Sequence, residues 1–143
     1  YLHSQSPPIV HRDVTPDNLV LANDGHITLI DFGAANEFVG TATGTLIGKQ
    51  SYISPEQFRG KAQTSSDLYS LGCTLHFLLT GQDPEPLSES SPRSINPAVS
   101  TQLDQIVASC TTEENELRIV DAKVLAQSLR QLIDSSARSG NHE

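Results

Sequence analysis

Residues 19–30, LVLANDGHITLI, hold two short apolar runs divided by Asn23-Asp24-Gly25. Asp-Gly between β-type runs predicts a hairpin, because both residues tolerate the positive φ of a tight turn. Antiparallel pairing then brings Asn18, before the first strand, and Asp31, after the second, to the same end of the ribbon. Residues 64–80, TSSDLYSLGCTLHFLLT, are apolar on nearly every side and are followed by Gly81. That pattern predicts a helix buried at the centre of a mainly helical domain.

Two amphipathic segments follow. Ser100 is placed to cap a helix over about 100–110 that presents Leu103, Ile106, Val107 and Cys110 on one face. Asp121 is placed to cap another over about 121–133 carrying Leu125, Leu129, Leu132 and Ile133. Pro84, Pro86, Pro92 and Pro97 punctuate residues 82–99, where at most a short helix fits. Residues 31–56 carry Gly33, Gly40, Gly44 and Gly48 with Thr41, Thr43 and Thr45 between them. Little there can pack, so the stretch reads as a long functional loop. Residues 134–143 read as a frayed polar tail. No internal repeat is visible.

Composition narrows the classes. The 143 residues suffice for one domain with a real core but not for two. A formal charge of −8, from 9 basic and 17 acidic residues, argues against a nucleic-acid or anionic-membrane surface, which needs a dense Lys/Arg field. No run approaches the ~18 apolar residues that span a bilayer, and no signal peptide opens the chain. Cys73 and Cys110 fall inside helical apolar patterns, as buried reduced thiols of a cytoplasmic protein do.

Asp13, Asn18 and Asp31 form an acid–amide–acid set at the hairpin end. Hard oxygen ligands of this kind suit Mg²⁺, which uses one or two protein ligands and completes its shell with phosphates and water. A further carboxylate at that mouth can accept a hydroxyl proton.

HRDVTPDN at 11–18, DFG at 31–33, SPE at 54–56 and DLYSLG at 67–72 come in series with compatible spacing. In this order they resemble the C-terminal lobe of eukaryotic-like (Hanks-type) serine/threonine protein kinases. The resemblance covers about Tyr1 to Ile133 and is nearest to bacterial members, cyanobacterial ones among them. It implies a mainly α lobe with a small β-hairpin, built of a catalytic loop at 11–18 and an activation segment at 31–56.

The same resemblance implies roles. Asp13 matches the catalytic base, and Asn18 and Asp31 match the Mg²⁺ ligands that bridge the phosphates of ATP. Val20 matches part of the adenine floor. Arg12 matches the arginine that receives a phosphorylated activation-loop residue, with Thr41, Thr43 and Thr45 as candidate sites. His11 and Phe32 match residues that pack rather than react. Glu56 and Arg118 match a buried ion pair that fixes the activation segment, and Asp67 matches the helix-start acid that holds the catalytic-loop backbone.

Two departures stand out. Only ten residues precede His11, so the Gly-rich loop, strand lysine and helix glutamate of an N-terminal lobe have no counterpart in this stretch. By this reading the chain is a fragment that needs the missing N-terminal lobe as a partner and is inactive alone. Second, Thr15 stands where the family carries a phosphate-steadying lysine, and Lys49 stands where it usually carries a threonine. Those positions approach each other and Asp13 in the family, so the pair reads as an exchange: Lys49 supplies the ammonium and Thr15 hydrogen-bonds Asp13.

The resemblance thus implies transfer of the ATP γ-phosphate to a serine or threonine of a protein substrate. A non-catalytic pseudokinase-like module is the alternative, and retention of Asp13, Asn18 and Asp31 counts against it. A small-molecule phosphotransferase fits less well, because SPE and DLYSLG belong to the protein-kinase pattern.

Overall fold

The computed structural model describes residues 1–32, 50–119 and 121–139. The segment with Thr41, Thr43, Thr45 and Lys49 lies outside the described residues.

Leu19–Leu21 (β1) and Ile27–Leu29 (β2) pair antiparallel with Leu19 opposite Leu29 and Leu21 opposite Ile27. Gly25 makes the turn possible at φ 86°, and Asp24 Oδ1 accepts the His26 amide at 3.0 Å to close it. One more ladder bond, Ile30 N to Asn18 O at 2.9 Å, extends the pairing to the open end of the ribbon. Asn18 therefore lies opposite Ile30, and Asp31 follows at the same open end of the ribbon.

The larger elements among the other described residues are helices. Pro55–Phe58 (α1) is one short turn started by Ser54, whose hydroxyl accepts the Gln57 amide at 3.2 Å. Thr64–Thr80 (α2) opens on Gln63 and stops at Gly81, whose φ of 71° suits a residue without Cβ. Thr101–Thr111 (α3) is capped by Ser100, and Ala122–Ser139 (α4) begins where Asp121 Oδ1 accepts the amides of Lys123 and Val124.

The helix expected to end near residue 133 continues to Ser139, so residues 134–139 are not a frayed tail. Ser135 and Ser136 bond back to the Leu132 carbonyl, and Arg138 sits in the last turn, where a cation complements the helix dipole. Ile133, grouped by its spacing with Leu125 and Leu129, is exposed instead.

Helix α2 is the axis of the molecule. Leu68, Cys110 and Leu125 bring α2, α3 and α4 into one cluster, and Tyr52, Tyr69 and Cys73 with Phe77 form a second. Gly72 lets α2 and α3 approach closely: a Cβ there would stand 2.6 Å from Cys110 Cβ. Burial pushes both the Cys73 and Cys110 thiols up to about 12, which leaves them protonated and inert.

Candidate active site

Helix α2 is less uniformly apolar than its sequence predicts. Ser66, Ser70 and Thr74 fall on successive turns of one face, and each is buried. Ser66 Oγ donates to Glu56 Oε1 at 2.7 Å, Ser70 Oγ to the Tyr52 carbonyl at 2.6 Å, and Thr74 Oγ1 to the Val14 carbonyl at 3.1 Å. One helix face thus holds three segments in register: the SPE turn, the end of the long loop and the HRD loop. Tyr52 is fixed a second time, its phenol donating to Asp83 at 2.6 Å. Burial, helped by that bond, pushes the Tyr52 phenol well above its ordinary range.

Asp67, in the first turn of α2, grips the HRD loop from below. Its Oδ2 accepts the His11 amide and its Oδ1 the Arg12 amide, both at 2.8 Å. The ring of His3 donates to the same Oδ2 at 2.7 Å. His3 was invisible to sequence reasoning, because a contact across sixty-four positions leaves no local pattern.

The loop so held takes an unusual path. Arg12 has φ 71° and Asp31 φ 58°, both in the left-handed region that L-residues seldom occupy. Such backbone persists only where its surroundings over-determine it. His11, almost fully buried, provides part of that. Its Nε2 donates to the Ile30 carbonyl at 3.0 Å, while its Nδ1 accepts the Asp13 amide at 3.2 Å. Those two contacts place the ring proton on Nε2. Phe32 stacks obliquely on His11 with ring centroids 4.7 Å apart, although Phe32 is itself more than half exposed.

Asn18 sits in the single turn Pro16–Asn18, and its side-chain amide donates both to the Asp13 carbonyl and to Asp13 Oδ2, each at 2.8 Å. Both donors of the amide are spent on one residue, which leaves its oxygen as the group able to ligate a cation. Asp31 lies at the same ribbon end. Among the described residues no group of three or more His, Cys, Asp or Glu stands close enough to hold a metal by itself. An amide oxygen and one or two carboxylates are the donor set for Mg²⁺ that arrives with phosphates, and not for a metal held by protein alone.

Thr15 corrects one expectation. It is buried at 4% exposure, yet among the described residues its hydroxyl has no hydrogen-bond partner, so the bond to Asp13 is not formed. Asn18 occupies Asp13 Oδ2 and the Asp13 carbonyl, while the extended backbone of Thr15 leads into the turn. Lys49, the other half of the expected exchange, lies outside the described residues.

Glu56 and Arg118 form a two-pronged pair, Nη1 to Oε1 at 2.6 Å and Nη2 to Oε2 at 3.2 Å. The guanidinium also meets the carbonyls of Thr112, Ser65 and Glu113, so its buried donors are satisfied. Burial opposes ionisation of Glu56, but the bonds from Arg118 and Ser66 outweigh it and hold the carboxyl below its ordinary value. Val20 is about half exposed on β1.

The protein kinase domain family matches residues 1–141. The chain is 34% identical over 146 residues to the Mycobacterium tuberculosis serine/threonine-protein kinase PknL, covering 90% of this chain and 37% of that protein. It is 39% identical over 128 residues to the Nostoc serine/threonine-protein kinase PknA, covering 76% and 22% respectively. It is 37% identical over 137 residues to Synechocystis serine/threonine-protein kinase C, covering 85% and 26%.

The chain belongs to the protein kinase family. It spans little more than a third of PknL and about a quarter or less of the two cyanobacterial relatives.

Proposed function

We propose that this chain forms the catalytic-loop side of a serine/threonine protein kinase, which moves the γ-phosphate of ATP onto a protein hydroxyl. The observation that carries the reading is Asp13 fixed by Asn18 at 2.8 Å, at the ribbon end that also carries Asp31. In the step, the substrate oxygen bonds to the γ-phosphorus as the bridge to ADP breaks, and the hydroxyl proton passes to Asp13. The oxygens of Asn18 and Asp31 would hold Mg²⁺, which supplies charge neutralisation on the phosphates.

Lys49 is assigned the ammonium that steadies the transferred phosphate, with Thr15 a buried filler beside it. Arg12 is assigned the reception of a phosphate on Thr41, Thr43 or Thr45, and Val20 a place under the adenine. Activity is assigned to this stretch acting together with an N-terminal lobe that covers ATP. Buried reduced cysteines fit a cytoplasmic setting, and among the described residues no helix is long and apolar enough to cross a membrane.

The test is transfer by the full-length protein. Supplied with ATP, Mg²⁺ and a serine- and threonine-containing substrate, it should label those residues. ATP binding without transfer would favour the non-catalytic reading.

A further inference from the structure

We propose that Gln57, one residue past the SPE element, is a positioning residue for phosphoryl transfer that acts through the backbone in front of Asp13. The proposal rests on the kinase reading above.

The peptide group joining Arg12 to Asp13 is rigid and planar, so two contacts at its opposite ends fix its rotation. One is the Asp13 amide bonded to His11 Nδ1 at 3.2 Å. The other is the Arg12 carbonyl, which accepts Gln57 Nε2 at 2.8 Å. Rotation of this plane swings the Asp13 Cα, and with it the carboxylate that meets the substrate hydroxyl. Arg12 needs such a hold, because its φ of 71° is a conformation that relaxes when released.

Gln57 is itself well seated. Ser54, fully buried, accepts its backbone amide, and the neighbouring Glu56 is locked to Arg118. The side chain therefore links the anchored end of the activation segment directly to the peptide of the catalytic base. Order at the SPE turn is passed to Asp13 through one hydrogen bond.

The other half of the amide shows why glutamine stands here. Gln57 Oε1 is buried and has no hydrogen-bond partner among the described residues. A buried acceptor without a partner offsets part of what the bond to Arg12 contributes, so stability alone does not explain the residue. It is explained by the donor it aims at Arg12.

This separates positioning from packing. In the full-length protein, Gln57→Met keeps the volume, removes the donor and removes the orphan oxygen. Its melting temperature should change little, because losing the orphan oxygen offsets losing the bond to the Arg12 carbonyl. The turnover rate should fall on the order of 100-fold, the effect of a misplacement of about 1 Å, while KM for ATP stays within about twofold. Gln57→Glu, which when ionised only accepts, should lose at least as much turnover. Hydrogen exchange at the Asp13 amide should speed up about tenfold in Gln57→Met, a readout that needs no activity.

Unchanged turnover or unchanged exchange in Gln57→Met overturns the proposal. So does a melting temperature that falls in step with activity, which would assign Gln57 to packing. Absence of transfer by the unsubstituted protein is a different failure, and overturns the kinase reading on which the proposal stands.

Discussion

The side-chain amide of Asn18 spans the backbone carbonyl and the carboxylate of Asp13, 2.8 Å to each. One residue at the foot of β1 thereby sets the rotamer of the proposed base and leaves its own oxygen for a cation. Asn18→Ala in the full-length protein should lower turnover about 100-fold or more, the usual scale for a misplaced base or a lost electrostatic group. It should also raise the Mg²⁺ concentration needed for half-maximal rate. A rate loss with an unchanged Mg²⁺ requirement would confine Asn18 to orienting Asp13.

Lys49 carries a separate prediction. Neutralising charge on the transferring phosphate is worth on the order of 10²–10³ in rate where a single donor is removed. Lys49→Ala should cost that much turnover with little change in ATP affinity. Thr15→Lys on the same background should restore part of it if the proposed exchange puts the two positions at one contact. A double-mutant cycle measures the coupling, and independent effects would sink the exchange.

Removing one partner of the Glu56–Arg118 pair strands the other charge in the interior. Arg118→Met should lower stability by about 3–5 kcal/mol in denaturant unfolding. Replacing both residues with apolar ones should cost clearly less than the two single losses combined. Strict additivity would show that the two residues do not act as a pair.

His76 supplies a pH dependence. It is buried on α2, both ring nitrogens lack hydrogen-bond partners among the described residues, and burial lowers its pKa, partly offset by the Asp104 carboxylate. The unfolded chain then takes up a proton near pH 6.5 while the folded one does not. The contribution of His76 is fully present above that value, and stability falls as pH drops below it, by at most about 1.4 kcal/mol per unit. His76→Leu should flatten the slope of stability between pH 7 and pH 5.5. A slope equal to that of the unsubstituted protein would contradict the assignment.

Much of the ribbon and the helical axis could be read from the chain. Asp24-Gly25 dictates the turn, and the two-residue period around it dictates which residues leave the sheet together. Gly81 marks the stop of α2 because little else accepts its conformation. The helix end at Ser139 was missed, since serine and aspartate favour loops by composition while here two serine hydroxyls bond back to a helix carbonyl.

The contacts that stabilise the site were legible only in part. Spacing of four between Ser66, Ser70 and Thr74 on an apolar helix was a signal that could have marked a bonded face. His3 and Gln57 gave none, because each bonds a group that is far away in sequence and near only in the fold. Thr15 misled because its bond to Asp13 was inferred from the family resemblance, as half of an exchange with Lys49, whereas Asn18 is the residue that donates to Asp13 Oδ2.

The most direct measurement is single-turnover phosphate transfer by the full-length protein and by Asp13→Asn, with ATP affinity determined in parallel. A general base contributes roughly 10²–10⁴ in rate. The account predicts a loss of that size with ATP affinity preserved. Equal transfer rates in the two proteins would contradict it.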